Sequence, residues 1–231
     1  MGVNLEHEIH NEGSGALLAV SLKVGESVKA ESNAMVAMSG KVTVEGKMDG
    51  GFFGALKRTV LAGESFFVQV MTAKGEDGMV LLAPALPGHI KVLDVRPGQG
   101  YLTQRGAFLA AMGNADIDTK MQNIAKAFFS GAGFFVQKTS GTGKIAVSAF
   151  GAIQEIDVPS GDEFVVDTGH LVAWSDSMTY KIEKASKTWL SSATSGEWLV
   201  CRFKGPGTIF IQTRNPDAFS SWVRAQMPQQ K

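Results

Sequence analysis

Ser65-Phe66-Phe67-Val68-Gln69 returns as Gly133-Phe134-Phe135-Val136-Gln137 and, more loosely, as Glu197-Trp198-Leu199-Val200-Cys201. Successive side chains of a strand point to opposite faces, so two adjacent large apolar residues place burial on both sides of it. Phe66, Val68 and Val70 share one face, and Phe67, Gln69 and Met71 the other. The third copy has Cys201 where the first two have Gln69 and Gln137. The stretch therefore speaks for shared burial in an all-β fold, and it names no chemistry.

Working outward, the chain reads as three passes through one pattern. Each pass opens with a turn and an alternating strand: Val24-Gly25-Glu26-Ser27-Val28-Lys29-Ala30-Glu31, Pro97-Gly98-Gln99-Gly100-Tyr101-Leu102-Thr103-Gln104 and Ser160-Gly161-Asp162-Glu163-Phe164-Val165-Val166-Asp167. Gly25, Gly98 and Gly161 lie 73 and 63 residues apart, each able to take the positive φ that a side chain resists. An apolar strand follows at a matching offset: 34–38, 107–111 and 170–174. The joins agree as well, since the apolar-Asp-Val end of 90–95 resembles that of 153–158. These features predict one all-β domain over 1–231 made of three related antiparallel units, approximately 1–96, 97–159 and 160–231. Each unit is too small for a lone β layer, so the three are expected to share one core.

Three glycine-rich stretches, Ala73 to Gly78, Ser140 to Gly143 and Lys204 to Gly207, each precede an apolar strand and read as hairpins. Helix is scarce. Asn215 as N-cap and Pro216 at the first helical position lead into Phe219, Trp222, Val223 and Met227 at helical spacing, which predicts a short C-terminal helix docked on the sheets. A second helical pattern spans Lys120 to Phe129, with Met121, Ile124, Ala125 and Phe128 on one face.

Chemistry is conspicuous by what is missing. With 22 basic and 22 acidic residues the formal charge is zero, so a nucleic-acid partner, which calls for a basic excess, is not expected. The lone Cys201 sits in an apolar strand and reads as a buried small residue. The four histidines, His7, His10, His89 and His170, form no His-x-His pair, so no metal site is expected. No Gly-x-Ser-x-Gly elbow occurs, and Asp116 and Asp118 read as a solvated strand face. No catalytic residue, metal or cofactor is assigned, and the protein is expected not to be an enzyme. The first residues lack an apolar signal region, Glu6 occupies the position where a myristoylation motif wants Ser or Thr, and the apolar windows at 60–71 and 79–86 are broken early. A cytoplasmic protein is expected.

The segment Asp49 to Arg58 is unusual: Gly50, Gly51, Phe52, Phe53 and Gly54 stand close to the basic pair Lys57 and Arg58. It is the candidate interaction loop, able to meet a membrane surface, an anionic group or another subunit; alternatively Phe52, Phe53 and Leu56 cap a sheet edge. This loop, with Val24-Gly25-Glu26, Gly63-Glu64-Ser65-Phe66-Phe67 and Ala83-Pro84, resembles the altered-inheritance-of-mitochondria (mitochondrial biogenesis) family, in its bacterial or archaeal type. The resemblance implies a fold similar to that of the tryptophan RNA-binding attenuation protein, built of antiparallel layers and often self-associating, with no established catalytic residues. The turn-and-strand pattern also suggests a cupin-like double-stranded β-helix sandwich. Two functions follow as expectations: a non-enzymatic, self-associating scaffold or binding protein with a protein or membrane-surface partner, or, by analogy of fold, a small-ligand or RNA-binding protein.

Overall fold

A computed structural model describes residues 5–47, 68–104, 106–123, 135–184 and 199–228. Over them the glycine-punctuated apolar runs form β1 (His7–His10), β2 (Leu17–Leu22), β3 (Ser27–Glu31), β4 (Met35–Met38), β5 (Val42–Lys47), β6 (Val68–Ala73), β7 (Gly78–Leu82), β8 (Ile90–Val95) and β9 (Tyr101–Gln104). The series continues with β10 (Phe108–Asn123), β11 (Phe135–Ser148), β12 (Ile153–Val158), β13 (Glu163–Asp167), β14 (Leu171–Ser175), β15 (Thr179–Lys184), β16 (Leu199–Lys204), β17 (Gly207–Gln212) and one helix, α1 (Pro216–Gln226). The fold is all-β. The sheets run β1-β2-β7-β4, then β12-β17-β14-β9-β11-β10-β3-β6-β5 with β8 on β11, and β13-β16-β15.

The opening stretch behaves as its pattern requires. Neighbours along the strand are buried together: Val70 with Met71, Val136 with Gln137, Val200 with Cys201. Side chains of the core cover both faces of these strands, and each strand is the middle of three, so both of its hydrogen-bonding edges are paired. β6 lies between β3 and β5, and β16 between β13 and β15. The first half of β11 lies between β9 and the far end of β10.

The strands that follow also sit in the middle of three, but in a different layer. β7 lies between β2 and β4, β17 between β12 and β14, and the second half of β11 between β8 and the near end of β10. The glycine stretches are therefore not hairpins. At 74–77 and 205–206 the chain crosses from one layer to the other, and at 140–143 it does so without leaving the strand. Gly141 makes this bend at φ +81°, where an added Cβ would collide with the Asn114 carbonyl oxygen of the neighbouring strand. Local glycine content marks a change of direction; which strands then pair is decided by the layers.

Besides an irregularity between Asp118 and Gln122 in the β10–β11 pairing, three β-bulges fall at matching positions. They fall at Val36 between β4 and β7, at Leu109 between β10 and β11, and at Val172 between β14 and β17. Their spacings equal those of the turn glycines Gly25, Gly98 and Gly161, which take φ +86°, +76° and +92°. Two further pairings link these groups of strands: β3 with β10, Ala30 opposite Ala110, and β9 with β14, Thr103 opposite Ala173. The buried residues form three clusters, each drawing on strands from either side of these links. Leu18, Val20, Met71 and Leu82 pack with Leu109 and Met112; Phe108, Ile145 and Val147 pack with Val172 and Phe210; Leu102 and Val136 pack with Trp174, Cys201 and Phe203.

Two local expectations need correction. The helix predicted to start at Lys120 does not form over 120–123, because β10 continues there, with Gln122 and Asn123 paired to Val136 and Phe135; strand pairing overrides the local apolar period, and residues 124–129 lie outside the described residues. The helix α1 forms where expected, with the Asn215 side chain accepting from the Asp217 and Ala218 amides at 2.9 and 3.2 Å. It buries none of its residues, however, and meets the sheets mainly through Phe219.

Candidate interaction surfaces

The candidate loop residues Gly50, Gly51, Phe52, Phe53, Gly54, Lys57 and Arg58 lie outside the described residues. The four histidines are dispersed. His7 Nδ1 donates to the Leu5 carbonyl at 3.0 Å, His10 faces Glu8, and the His89 amide donates to the Gly151 carbonyl. His170 Nδ1 donates to the Gln212 carbonyl at 2.7 Å. Among the described residues no three His, Cys, Asp or Glu side chains gather as a metal would need. Cys201 is buried, and burial, with the nearby Glu183 charge, pushes its thiol up to about 12. Such a thiol is the opposite of an activated nucleophile. Asp116 does have a partner that the sequence did not disclose: Lys29 on β3 donates to it at 2.7 Å, tying β3 to β10.

A cavity of about 240 Å³ lies where β1, β8 and β12 converge, lined by Ile9, Glu12, His89, Lys91, Ile153 and Glu155. Lys91 and Glu155 are ion-paired there, so each neutralises the charge the other would offer an incoming group. More unusual are three buried side-chain oxygens without a hydrogen-bond partner among the described residues, Thr103 Oγ1, Gln104 Oε1 and Gln137 Oε1. Gln137 and Thr103 face each other across β11 and β9.

Two features present apolar surface outward. The first is a groove of about 450 Å³ between α1 and the Phe150 corner, lined by Phe150, Arg214, Ala218, Phe219 and Trp222. Phe219 meets Phe150 edge-on at 5.1 Å and stacks on Trp222 at 6.1 Å, while Arg214 lies over Phe150 at 5.9 Å. Gln212 Oε1 accepts from the Phe150 amide at 2.9 Å and fixes the corner. Trp222 is 59 % exposed and Met227 63 %, so the apolar face of the helix continues past what the groove covers.

The second is β4. Its sequence, Met35-Val36-Ala37-Met38, is apolar without alternation, the pattern of a strand buried on both faces. All four residues are nevertheless exposed. Among the described residues the strand pairs with β7 on one side and ends its sheet on the other, leaving a row of backbone donors and acceptors with no described partner. β13 also ends its sheet, with Phe164 exposed. The mismatch between an apolar run and its exposure is the signal of an interaction surface, and only the run itself is readable from sequence.

Residues 7–214 match the family described as Mitochondrial biogenesis AIM24. The chain is 34% identical over 219 residues to the uncharacterized protein M6_Spy0233 of Streptococcus pyogenes serotype M6, covering 92% of this chain and 87% of that one. It superimposes with a TM-score of 0.79 on the crystal structure of protein SPYM3_0169 from Streptococcus pyogenes, at 30% identity, covering 97% of this chain and 100% of that one.

Proposed function

On the premise that the chain belongs to the Mitochondrial biogenesis AIM24 family, we propose that it is a non-enzymatic scaffold that self-associates and engages a protein or membrane-surface partner. Its architecture, in this reading, is three related units, approximately 1–96, 97–159 and 160–231, in which β10 and β11 each run through two strand positions. What carries the reading is the apolar strand Met35–Met38, exposed at all four residues and open along one edge among the described residues. An apolar edge is a liability for a monomer and is normally blunted by charge, proline, a bulge, shortness or a covering partner; β4 contains neither charge nor proline, and its short length and the bulge at Val36 are the only such devices it carries.

The aromatic face of α1 supplies the surface for a different partner. No helix among the described residues is long and apolar enough to cross a membrane, so contact with a bilayer would be peripheral, through Trp222 and Met227. The reduced, buried Cys201 suits a cytoplasmic setting. Sedimentation velocity of the untagged protein tests self-association, and liposome flotation with wild type and Trp222→Ser tests the aromatic face. A strict monomer that binds no vesicle would overturn the scaffold reading.

A second reading is favoured by the groove itself. An aromatic slot of about 450 Å³ beside Arg214 has the make-up of a site for a small anionic ligand with an apolar body. Native mass spectrometry of the freshly purified protein distinguishes it, since a retained small molecule lost in Trp222→Ser would support this reading over a macromolecular partner.

A further inference from the structure

The two links between groups of strands use one register. Ala110, Ala111 and Met112 on β10 face Ala30, Lys29 and Val28 on β3. Ala173, Trp174 and Ser175 on β14 face Thr103, Leu102 and Tyr101 on β9. Moving the first set along the chain by the turn-glycine spacings, 63 residues for the β10 strand and 73 for the β3 strand, gives the second set residue for residue. Applied once more, the same rule pairs Ala37 with Val166, Met38 with Val165 and Ser39 with Phe164, that is, β4 with β13. Within the chain this third link is not made, since both strands end their sheets.

The side chains on β4 are composed as though it were made. Phe108, Leu109 and Ala111, and likewise Leu171, Val172 and Trp174, are 0–2 % exposed; their counterparts Met35, Val36 and Met38 are 37%, 57% and 38% exposed. On the other strand Val28 is fully buried, whereas its counterpart Phe164 is 41% exposed. Both halves of one interface are therefore present on different strands of the same molecule, β4 wholly apolar and β13 apolar at Phe164, Val165 and Val166 between Glu163 and Asp167.

We propose that the occupant of the β4 edge is β13 of a second copy of this chain, paired antiparallel with Ala37 opposite Val166. This rests on the self-association reading and goes further by fixing the interface and its polarity. The contact joins two different surfaces, so copies add head to tail and the assembly closes into a ring or extends as a filament according to the rotation between copies. Backbone hydrogen bonds supply the pairing, as in strand addition generally, and Met35, Val36, Met38 and Phe164 leave water.

Directly opposed residues on antiparallel strands bring their Cβ atoms within about 4.5–5.5 Å, close enough for a disulfide after small adjustments. The test uses Met38→Cys and Val165→Cys in separate full-length chains, each required to keep the wild-type unfolding midpoint, mixed under mild oxidation. Cys201 is buried and stays out of the reaction in folded protein. Non-reducing electrophoresis should show a covalent dimer in the mixture at a yield at least about tenfold above either variant alone, as a contact between unlike surfaces demands. Ser39→Cys with Phe164→Cys, one step along the same register, reads the same contact should Val165→Cys fail to fold.

Three results overturn the proposal. A dimer formed by one variant alone shows like edges pairing. A disulfide closed within the Met38→Cys, Val165→Cys double variant at monomer mass shows the chain covering its own edge. If neither cysteine pair cross-links while light scattering finds wild-type oligomers, this interface is wrong and self-association stands; if light scattering finds monomer, both fail.

Discussion

Glu31 closes β3 one residue beyond Ala30, at the link to β10, and its carboxyl has no hydrogen bond or ion pair among the described residues. Burial alone pushes its pKa up from 4.5 to about 7. A folded-state pKa above the unfolded value means that between about pH 4.5 and 7 the folded chain holds a proton the unfolded chain has lost. Stability contributed by this site is therefore complete below about pH 4.5, falls as pH rises, and is lowest above pH 7, where the folded chain carries a buried charge. The full shift corresponds to a ceiling of about 3.4 kcal/mol at 1.36 kcal/mol per unit. Partial access to water reduces that to roughly 1–2 kcal/mol. Glu31→Gln keeps the shape and removes the ionisation. Urea unfolding followed by circular dichroism at pH 5, 6, 7 and 8, with equal m-values as the check on two-state behaviour, should find the variant more stable by roughly 1–2 kcal/mol at pH 8, with the gap shrinking towards pH 5. A gap that does not change with pH, or a wild type more stable at pH 8, would refute the assignment of an unpaired buried carboxyl.

Gly141→Ala meets both a positive φ and the Asn114 carbonyl and should cost more than about 2 kcal/mol, whereas Gly25→Ala, at a similar φ with open space around it, should cost about 1 kcal/mol; equal denaturation midpoints for the two would contradict the close approach. Gln137→Met removes a buried oxygen that has no partner among the described residues and should leave stability unchanged or raise it by up to about 1 kcal/mol, with a clear loss in thermal unfolding counting against the reading. The Cys201 thiol, pushed up to about 12, should alkylate at pH 8 at least about a thousandfold more slowly in the native protein than in denaturant, and prompt native labelling would show that it is reachable.

Much of the fold was legible. Turn glycines at 25, 98 and 161 and the apolar runs after them fix where strands begin, because both are local signals. The strand-to-strand connections were not legible from the glycines at 75, 143 and 205, since a hairpin and a crossing between layers need the same backbone freedom. Lys120 to Asn123 reads as helix until β11 is there to pair with it. The N-cap at Asn215 was readable because one side chain satisfies two adjacent amides, but how little of α1 the sheets would cover depends on the position of Phe150, far away in sequence. The candidate surface divides in the same way. Met35 to Met38 announces burial, and only the arrangement of sheets reveals that no described residue provides it.

The account depends most on β4 being an interface. Light scattering at about ten micromolar, a concentration in the range where standard-sized interfaces associate, should give the wild type a mass well above the 24.6 kDa of one chain. Val36→Lys, which places a charge on the most exposed residue of that edge, should give a single-chain mass with unchanged circular dichroism. A wild type that runs at the mass of one chain, or a Val36→Lys variant that assembles as the wild type does, would contradict it.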